Sequence, residues 1–184
     1  MKYPGEELDN FDKATIWRKY IYLEIKKFIK GNVLEVGAGI GSFTRNYMGL
    51  AEKLTLSEVD ANNYLIIKEK FKNKKIRVSN KITEKLNDTF NTIMYLNVLE
   101  HIKDDKNEIL GALKKLEKNG HLIILVPAHN KLFSKFDKAV GHFRRYEKNF
   151  FKNLNLKNCK IKKLIYLDSL GYCLYYLNKI FFKE

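Results

Sequence analysis

Three groups of residues in this chain have the types and spacing that do chemistry. The first lies in Val33–Arg45, VLEVGAGIGSFTR, where an aliphatic run carries Glu35 and then breaks into Gly37, Gly39 and Gly41. A strand that dissolves into glycines and restarts as a helix presents backbone N–H groups to a nucleotide-like ligand. The second is Glu58, nineteen residues beyond Gly39, where a carboxylate can accept both hydroxyls of a ribose. The third gathers proton and anion acceptors late in the chain: His101, His129, His142, Arg144 and Arg145. An imidazole titrates close to neutrality and can take the proton of a hydroxyl or amine. Paired arginines can grip a phosphate or carboxylate, unless one of them is tied to Asp137 or Glu147.

The glycine spacing narrows the ligand. A dinucleotide fingerprint needs G-x-G-x-x-G, whereas here the glycines alternate, and no Gly-Lys-Ser/Thr follows to make a P-loop. A carboxylate at Glu35, inside the turn, disfavours phosphate and suits a cationic ligand. The competing reading makes Glu35 a solvated acid at a strand end. Asp60 is read as the N-cap of the helix that follows it. Glu100 and His101 admit two readings, as pocket residues or as the first turn of a helix. His121 opens a strand at the end remote from the glycines and is read as structural.

These residues need elements to hold them. Residues 1–10 read as a loose arm. Ile16, Tyr20, Leu23 and Phe28 recur near the helical period, predicting a helix over 11–30 that stops at Gly31-Asn32. Trp17 on it is either a lid over the ligand or a core anchor. Strands are predicted at Val33–Val36, Lys53–Val59, Lys75–Ser79, Phe90–Leu96, His121–Val126 and Lys160–Leu167. Of these His121–Val126 reads as the most buried, closed by Pro127. Helices are predicted at Ser42–Leu50, Asn62–Phe71, Asp104–Leu116, Lys148–Leu154 and about 169–182. In the third of these, Leu110, Leu113 and Leu116 are expected to face the core, with Asn119-Gly120 stopping the helix. Residues 128–147 read as a polar loop with aromatics. The alternation predicts one α/β domain over 1–184, a doubly wound and mostly parallel sheet. Ligands in such folds sit beyond the carboxyl ends of the strands, where the strand order reverses.

With its residues in this order the chain resembles class I S-adenosylmethionine (SAM)-dependent methyltransferases from about Phe11 to Tyr146. The resemblance is carried by VLEVGAGIGSFT, LTLSEVD, FNTIMYLNVLEHI and HLIILVPAHNKLF. It implies a Rossmann-like methyltransferase fold with SAM as cofactor and no metal. Gly37, Ala38 and Gly39 would pass along the methionine portion, with Glu35 near the ammonium directly or through water. Glu58 would bind the ribose, Val59 would flank the adenine, and Asn97 would sit near the methyl group. Asn80 and Lys81 stand where such enzymes often carry an adenine-binding acid. The segment Lys131–Tyr146, KLFSKFDKAVGHFRRY, is similar to a bacterial and archaeal subgroup with Asp followed by Gly-His-x-Arg-Arg-Tyr, whose members often accompany glycan or glycolipid genes. That likeness implies a small-molecule or glycan/lipid-linked acceptor with an anionic group, methylated on oxygen or nitrogen. His101 and His142 would be the catalytic candidates, and His129, Arg144, Arg145 and Tyr146 would bind the acceptor. The full class I sheet adds a seventh, antiparallel strand, for which there is no room before Glu184.

Composition sets the remaining bounds. The net charge is +14, and His142–Glu184 carries half of the excess. A balance of this kind attracts nucleic acid or an anionic membrane. Methylation of RNA is therefore the alternative function, with a non-catalytic SAM-fold subunit as a third. Enzymes that methylate amino groups of bases follow the Asn of the fourth strand with Pro-Pro and an aromatic. Here Asn97 precedes Val98-Leu99-Glu100, which argues against that substrate. Leu167, Leu170, Leu174, Leu177 and Phe181 form a stripe that docks on the sheet or lies on a membrane surface. Cys159 and Cys173 form no metal or redox pattern, and Met1–Asn10 is polar. Both features fit a cytoplasmic protein, with peripheral membrane contact as the second reading.

Overall fold

The computed structural model describes residues 7–72, 74–154, 156, 159–168, 171, 172 and 176. Five strands form one sheet: β1 Asn32–Val36, β2 Lys53–Ser57, β3 Ile76–Ser79, β4 Phe90–Leu96 and β5 Leu116–Leu125. All neighbours are parallel, in the order β3-β2-β1-β4-β5. The helices are α1 Glu7–Lys13, α2 Thr15–Ile25, α3 Thr44–Tyr47, α4 Ala61–Lys70, α5 Asp105–Lys114, α6 Lys135–Ala139 and α7 Lys148–Lys152. The expected doubly wound α/β class is the one observed.

The local reasons are legible in the side chains. Central parallel strands are covered on both faces, so β1 and β4 read as nearly continuous apolar runs. Successive residues alternate faces. Val33 joins a core with Ile21, Phe43, Tyr47, Leu56, Ile67 and Met94. Leu34 joins the other core, with Phe90, Ile93, Tyr95, Ile109, Ala112 and Tyr146. Asp60 caps α4 by accepting from the backbone N–H groups of Asn62 and Asn63 at 3.0 and 2.9 Å.

Several expectations need correction. The first helix is not continuous: α1 and α2 are separated at Ala14, and a 3-10 turn, Lys26–Phe28, follows. The Arg18 guanidinium fills the break by donating to the carbonyls of Phe11 and Asp12. Trp17 packs against the first core, as an anchor would. On α5 the buried face is Ile109 and Ala112, one residue back from the expected stripe, and Leu110 is 38% exposed. Asn119-Gly120 does not end that helix. It lies inside β5, where Asn119 takes φ 61° and the register against β4 shifts between Phe90 and Thr92. Leu116 therefore belongs to the strand. β5 is mostly half-buried rather than the most buried strand. It is the sheet edge among the described residues.

The predicted strand at Lys160–Leu167 does not form. The segment makes no ladder and is held by side chains, Lys163 to Glu24 and Tyr166 to Glu147. The polar loop over 128–147 contains α6 and a 3-10 turn, Asn130–Leu132. The predicted helix at about 169–182 lies almost wholly outside the described residues, as do Cys173 and most of its apolar stripe. Among the described residues no helix is long and apolar enough to cross a membrane.

Candidate active site

The strand order reverses between β1 and β4, so the crevice opens beyond their carboxyl ends. From β1 emerges the glycine loop. Gly37 has φ 63°, and a Cβ there would stand 2.7 Å from a Val98 methyl carbon. Gly41 has φ 71°, and a Cβ there would stand 2.5 Å from the Phe71 ring. Only glycine satisfies both the dihedral and the packing. The loop is closed by Gly41 N–H on the Ala38 carbonyl at 2.8 Å and tied to β2 by Ala38 N–H on the Ser57 carbonyl at 3.0 Å. Leu8 of α1 rests against Gly39, so α1 covers the loop.

Glu58 follows β2 and is buried. Its carboxylate accepts from Gly39 N–H at 2.7 Å and from Asp60 N–H at 2.8 Å, bridging the loop to the start of α4. Burial raises its pKa, and these backbone bonds offset part of the rise. Val59 beside it is exposed.

Glu35 is placed differently from the expectation. Its carboxylate is buried and turned toward α3, accepting from Thr44 Oγ1 at 2.6 Å and Tyr47 OH at 2.5 Å. Burial pushes it up to about 7; the two hydroxyls act downward, and the Glu58 charge adds to the rise. Glu35 thus fastens the helix that follows the loop. A solvated strand-end acid it is not.

The other wall comes from β4. Asn97 is exposed at φ 56°, its N–H donating to the Leu125 carbonyl at 2.8 Å. Val98 lies over Gly37, and Leu99–His101 makes a 3-10 turn. Gly141–Tyr146 docks on that turn. Phe143 N–H donates to the Glu100 carbonyl at 2.8 Å, and Tyr146 OH donates to the Leu99 carbonyl at 3.0 Å. Tyr146 also bridges to Ala128 after β5. One segment therefore ties together the ends of β4 and β5.

That docking brings His101 and His142 together, ring centroids 4.7 Å apart and edge-to-face. Behind them lies Asp137, 0% exposed in its side chain. It accepts from His142 Nδ1 at 2.8 Å, from Arg145 Nε at 2.9 and 3.1 Å, and from Ser134 N–H at 2.9 Å. Burial alone would raise the Asp137 pKa. The hydrogen bonds from Arg145 and His142 outweigh it and hold the carboxyl below its ordinary range.

The expected acceptor-binding residues are not gathered here. Arg145 is committed to Asp137, and Arg144 pairs with Asp105 Oδ2 at 2.6 Å and the Lys103 carbonyl. Both arginines, rather than one of the two, are engaged inside the protein. Tyr146 is 3% exposed, and its hydroxyl also reaches Asp105 at 2.8 Å, so it is a core residue. His129, at φ 65°, lies between the Tyr166 and Tyr172 rings at 4.4 and 4.6 Å, with Glu147 at 3.6 Å. His121 Nδ1 donates to the Phe28 carbonyl at 2.9 Å, a structural role as expected. Glu100, which the sequence left between pocket residue and helix turn, lies in the 3-10 turn, 1% exposed and within reach of His101 and His142. Its signal was its place directly before His101 in LEHI.

The fold is shared with proteins of known structure. The YcgJ protein of Bacillus subtilis is 14% identical, with a TM-score of 0.63 over 76% of this chain and 66% of that one. The N-methyltransferase NodS of Bradyrhizobium japonicum WM9 is 20% identical, with a TM-score of 0.61 over 77% and 80%. A SAM-dependent methyltransferase of Clostridium acetobutylicum is 17% identical, with a TM-score of 0.54 over 66% and 57%. This chain thus spans less than two thirds of the length of the first and third of these. No curated protein matches it. The family model described as a methyltransferase domain matches residues 12–159, from the break after α1 to beyond the GHFRRY segment. That match covers both walls of the crevice, and the chain belongs to the methyltransferase-domain family.

Proposed function

We propose that this protein transfers a methyl group from SAM to an oxygen or nitrogen of a small-molecule or glycan/lipid-linked acceptor. The observation that carries the reading is Glu58. Its carboxylate stands at the rim of the crevice, aligned by Gly39 and Asp60 N–H groups, and keeps lone pairs for a diol. Gly37, Ala38 and Gly39 would line the methionine portion, the exposed Val59 would flank the adenine, and Asn97 would stand near the methyl group. Glu35 acts behind the loop, holding α3. NodS has been crystallised with S-adenosylhomocysteine, and the structurally similar DhpI with SAM.

SAM supplies an electrophilic methyl group on a sulfonium. The protein's part is alignment and exclusion of water, because charge disperses as the methyl moves. The His101–His142 pair stands on the acceptor side, with His142 oriented by Asp137. The likeness of Gly141–Tyr146 to the GHxRRY subgroup supports a glycan-type acceptor. The anion clamp is not part of this reading, because both arginines are engaged. Methylation of RNA is the second reading, favoured by the net charge of +14.

Isothermal titration tests the assignment. SAM binds the wild type one to one, and Glu58→Gln and Glu58→Ala each weaken it at least tenfold. No binding, or equal binding by both variants, refutes the reading. Affinity for generic RNA that falls steeply with salt would move the acceptor to the second reading.

A further inference from the structure

We propose that Glu100, His101 and His142 form a divalent-cation site beside the glycine loop. One ligand atom from each residue lies within 4.8 Å of those of the other two. Around a tetrahedral zinc-like cation, bonds of about 2.0–2.2 Å put donor atoms about 3.3–3.6 Å apart. Closing that gap takes a small rotation of His101, which is half-buried. The donors come from two segments already locked together by the Phe143 N–H bond to the Glu100 carbonyl. The two segments are therefore in place before any ion arrives, and their side chains close on it.

A second observation points the same way. A histidine that ligates a metal through one ring nitrogen donates the other N–H to a carboxylate, which fixes its tautomer and ring orientation. His142 Nδ1 has that partner in Asp137 Oδ1 at 2.8 Å, so Nε2 is the nitrogen presented. Asp137 is in turn fixed by Arg145 and by the Ser134 N–H. A fully buried carboxylate paired with a mostly buried guanidinium is costly to desolvate, and this pair fixes the orientation of one imidazole. Glu100, 1% exposed beside two imidazoles, is a carboxylate that a cation would neutralise.

The chemistry of the set selects the ion. Two imidazoles and one carboxylate suit zinc, manganese, iron or cobalt better than calcium or magnesium, which prefer oxygen donors. Three protein ligands leave at least one coordination position open. Val98, directly before the turn that carries Glu100 and His101, lies on Gly37, and on the methyl-transfer reading the open position would take the acceptor. A metal-bound hydroxyl has a lowered pKa. The acceptor hydroxyl would give its proton to water. Its oxygen lone pair would then form the O–CH3 bond while the S–CH3 electron pair leaves on sulfur. This role rests on the methyl-transfer reading and favours an oxygen acceptor; the binding of the ion does not depend on it.

The test is titration of chelator-treated full-length protein with ZnCl2, MnCl2 and CoCl2, without SAM. One equivalent of metal is expected, with a cobalt absorption spectrum of nitrogen and oxygen coordination. Glu100→Gln, His101→Ala and His142→Ala should each weaken binding at least tenfold, and Asp137→Asn by roughly 10–100-fold. His121→Gln should not change it. Glu100→Gln is nearly isosteric, so it remains informative if a histidine variant does not fold, which circular dichroism detects. No metal binding, or equal affinity in wild type and Glu100→Gln, overturns the site. SAM titration with chelator present is scored separately. SAM binding without metal binding would leave the methyltransferase reading standing and remove this one.

Discussion

The stability of this protein should fall as pH rises through neutrality, and Glu35 is the reason. Its pKa moves from 4.5 to about 7 on folding, burial being the largest cause. Between those values the folded state holds a proton that the unfolded state has released. The slope of unfolding free energy with pH is then negative, so stability contributed below about pH 4.5 is lost by about pH 7. A shift of this size corresponds to about 3 kcal/mol, at 1.36 kcal/mol per unit. Glu35→Gln imitates the protonated form, and its amide oxygen can still accept from Thr44 and Tyr47. The variant should match the wild type at pH 4.5 and exceed it by up to about 3 kcal/mol at pH 8. Urea unfolding of both proteins at the two pH values measures the difference directly. Comparing the pair cancels titrating groups that do not interact with Glu35, Asp137 among them, whereas the coupling to Glu58 is part of the measured difference. If the gap between variant and wild type is the same at both pH values, Glu35 does not titrate as argued. SAM affinity of the same variant separates the two roles. An unchanged value makes Glu35 a support for α3, and a loss makes it a partner of the ligand.

Two further outcomes follow from the packing. Gly37→Ala places a methyl 2.7 Å from Val98 at a φ of 63°, and should destabilise the fold by at least about 1–3 kcal/mol and abolish SAM binding in titration. Tyr146→Phe removes a buried hydroxyl from Leu99 and Asp105, and should lower the urea midpoint by the equivalent of about 1–3 kcal/mol, the cost of leaving buried partners unmade.

The sheet and its ligand loop were legible in the sequence because their signals are local. A central parallel strand is covered on both faces, so Val33–Val36 and Phe90–Leu96 announce themselves as apolar runs. Alternating glycines after the first of them locate the loop, since few backbones other than glycine accept those dihedrals so close to Val98 and Phe71. Asp60 as a cap is equally local. Where two neighbours compete for a face, the sequence misleads: Leu110, Leu113 and Leu116 form as good a stripe as Ile109 and Ala112. Packing against the sheet buries Ile109 and Ala112 fully, keeps Leu113 and Leu116 partly buried on the same core and turns Leu110 outward. Lys160–Leu167 is rich in Ile, Leu and Tyr as a strand is, yet a strand exists only if an edge pairs with it, and here side chains hold the segment instead.

What only the tertiary structure decided are the partners of charges distant in the chain. Arg144 reaches Asp105 and Arg145 reaches Asp137, so two residues that read as an anion clamp are cross-braces. His101 and His142 meet because Gly141–Tyr146 folds back onto the turn after β4, and the same fold brings Glu100 beside them. Charge and hydrogen-bond pairing depend on separation in space, which residue types and spacing along the chain do not encode. The sequence therefore determined the ligand half of the crevice, built from one loop and one strand end. The opposite wall, with His101 and His142, was decided by docking.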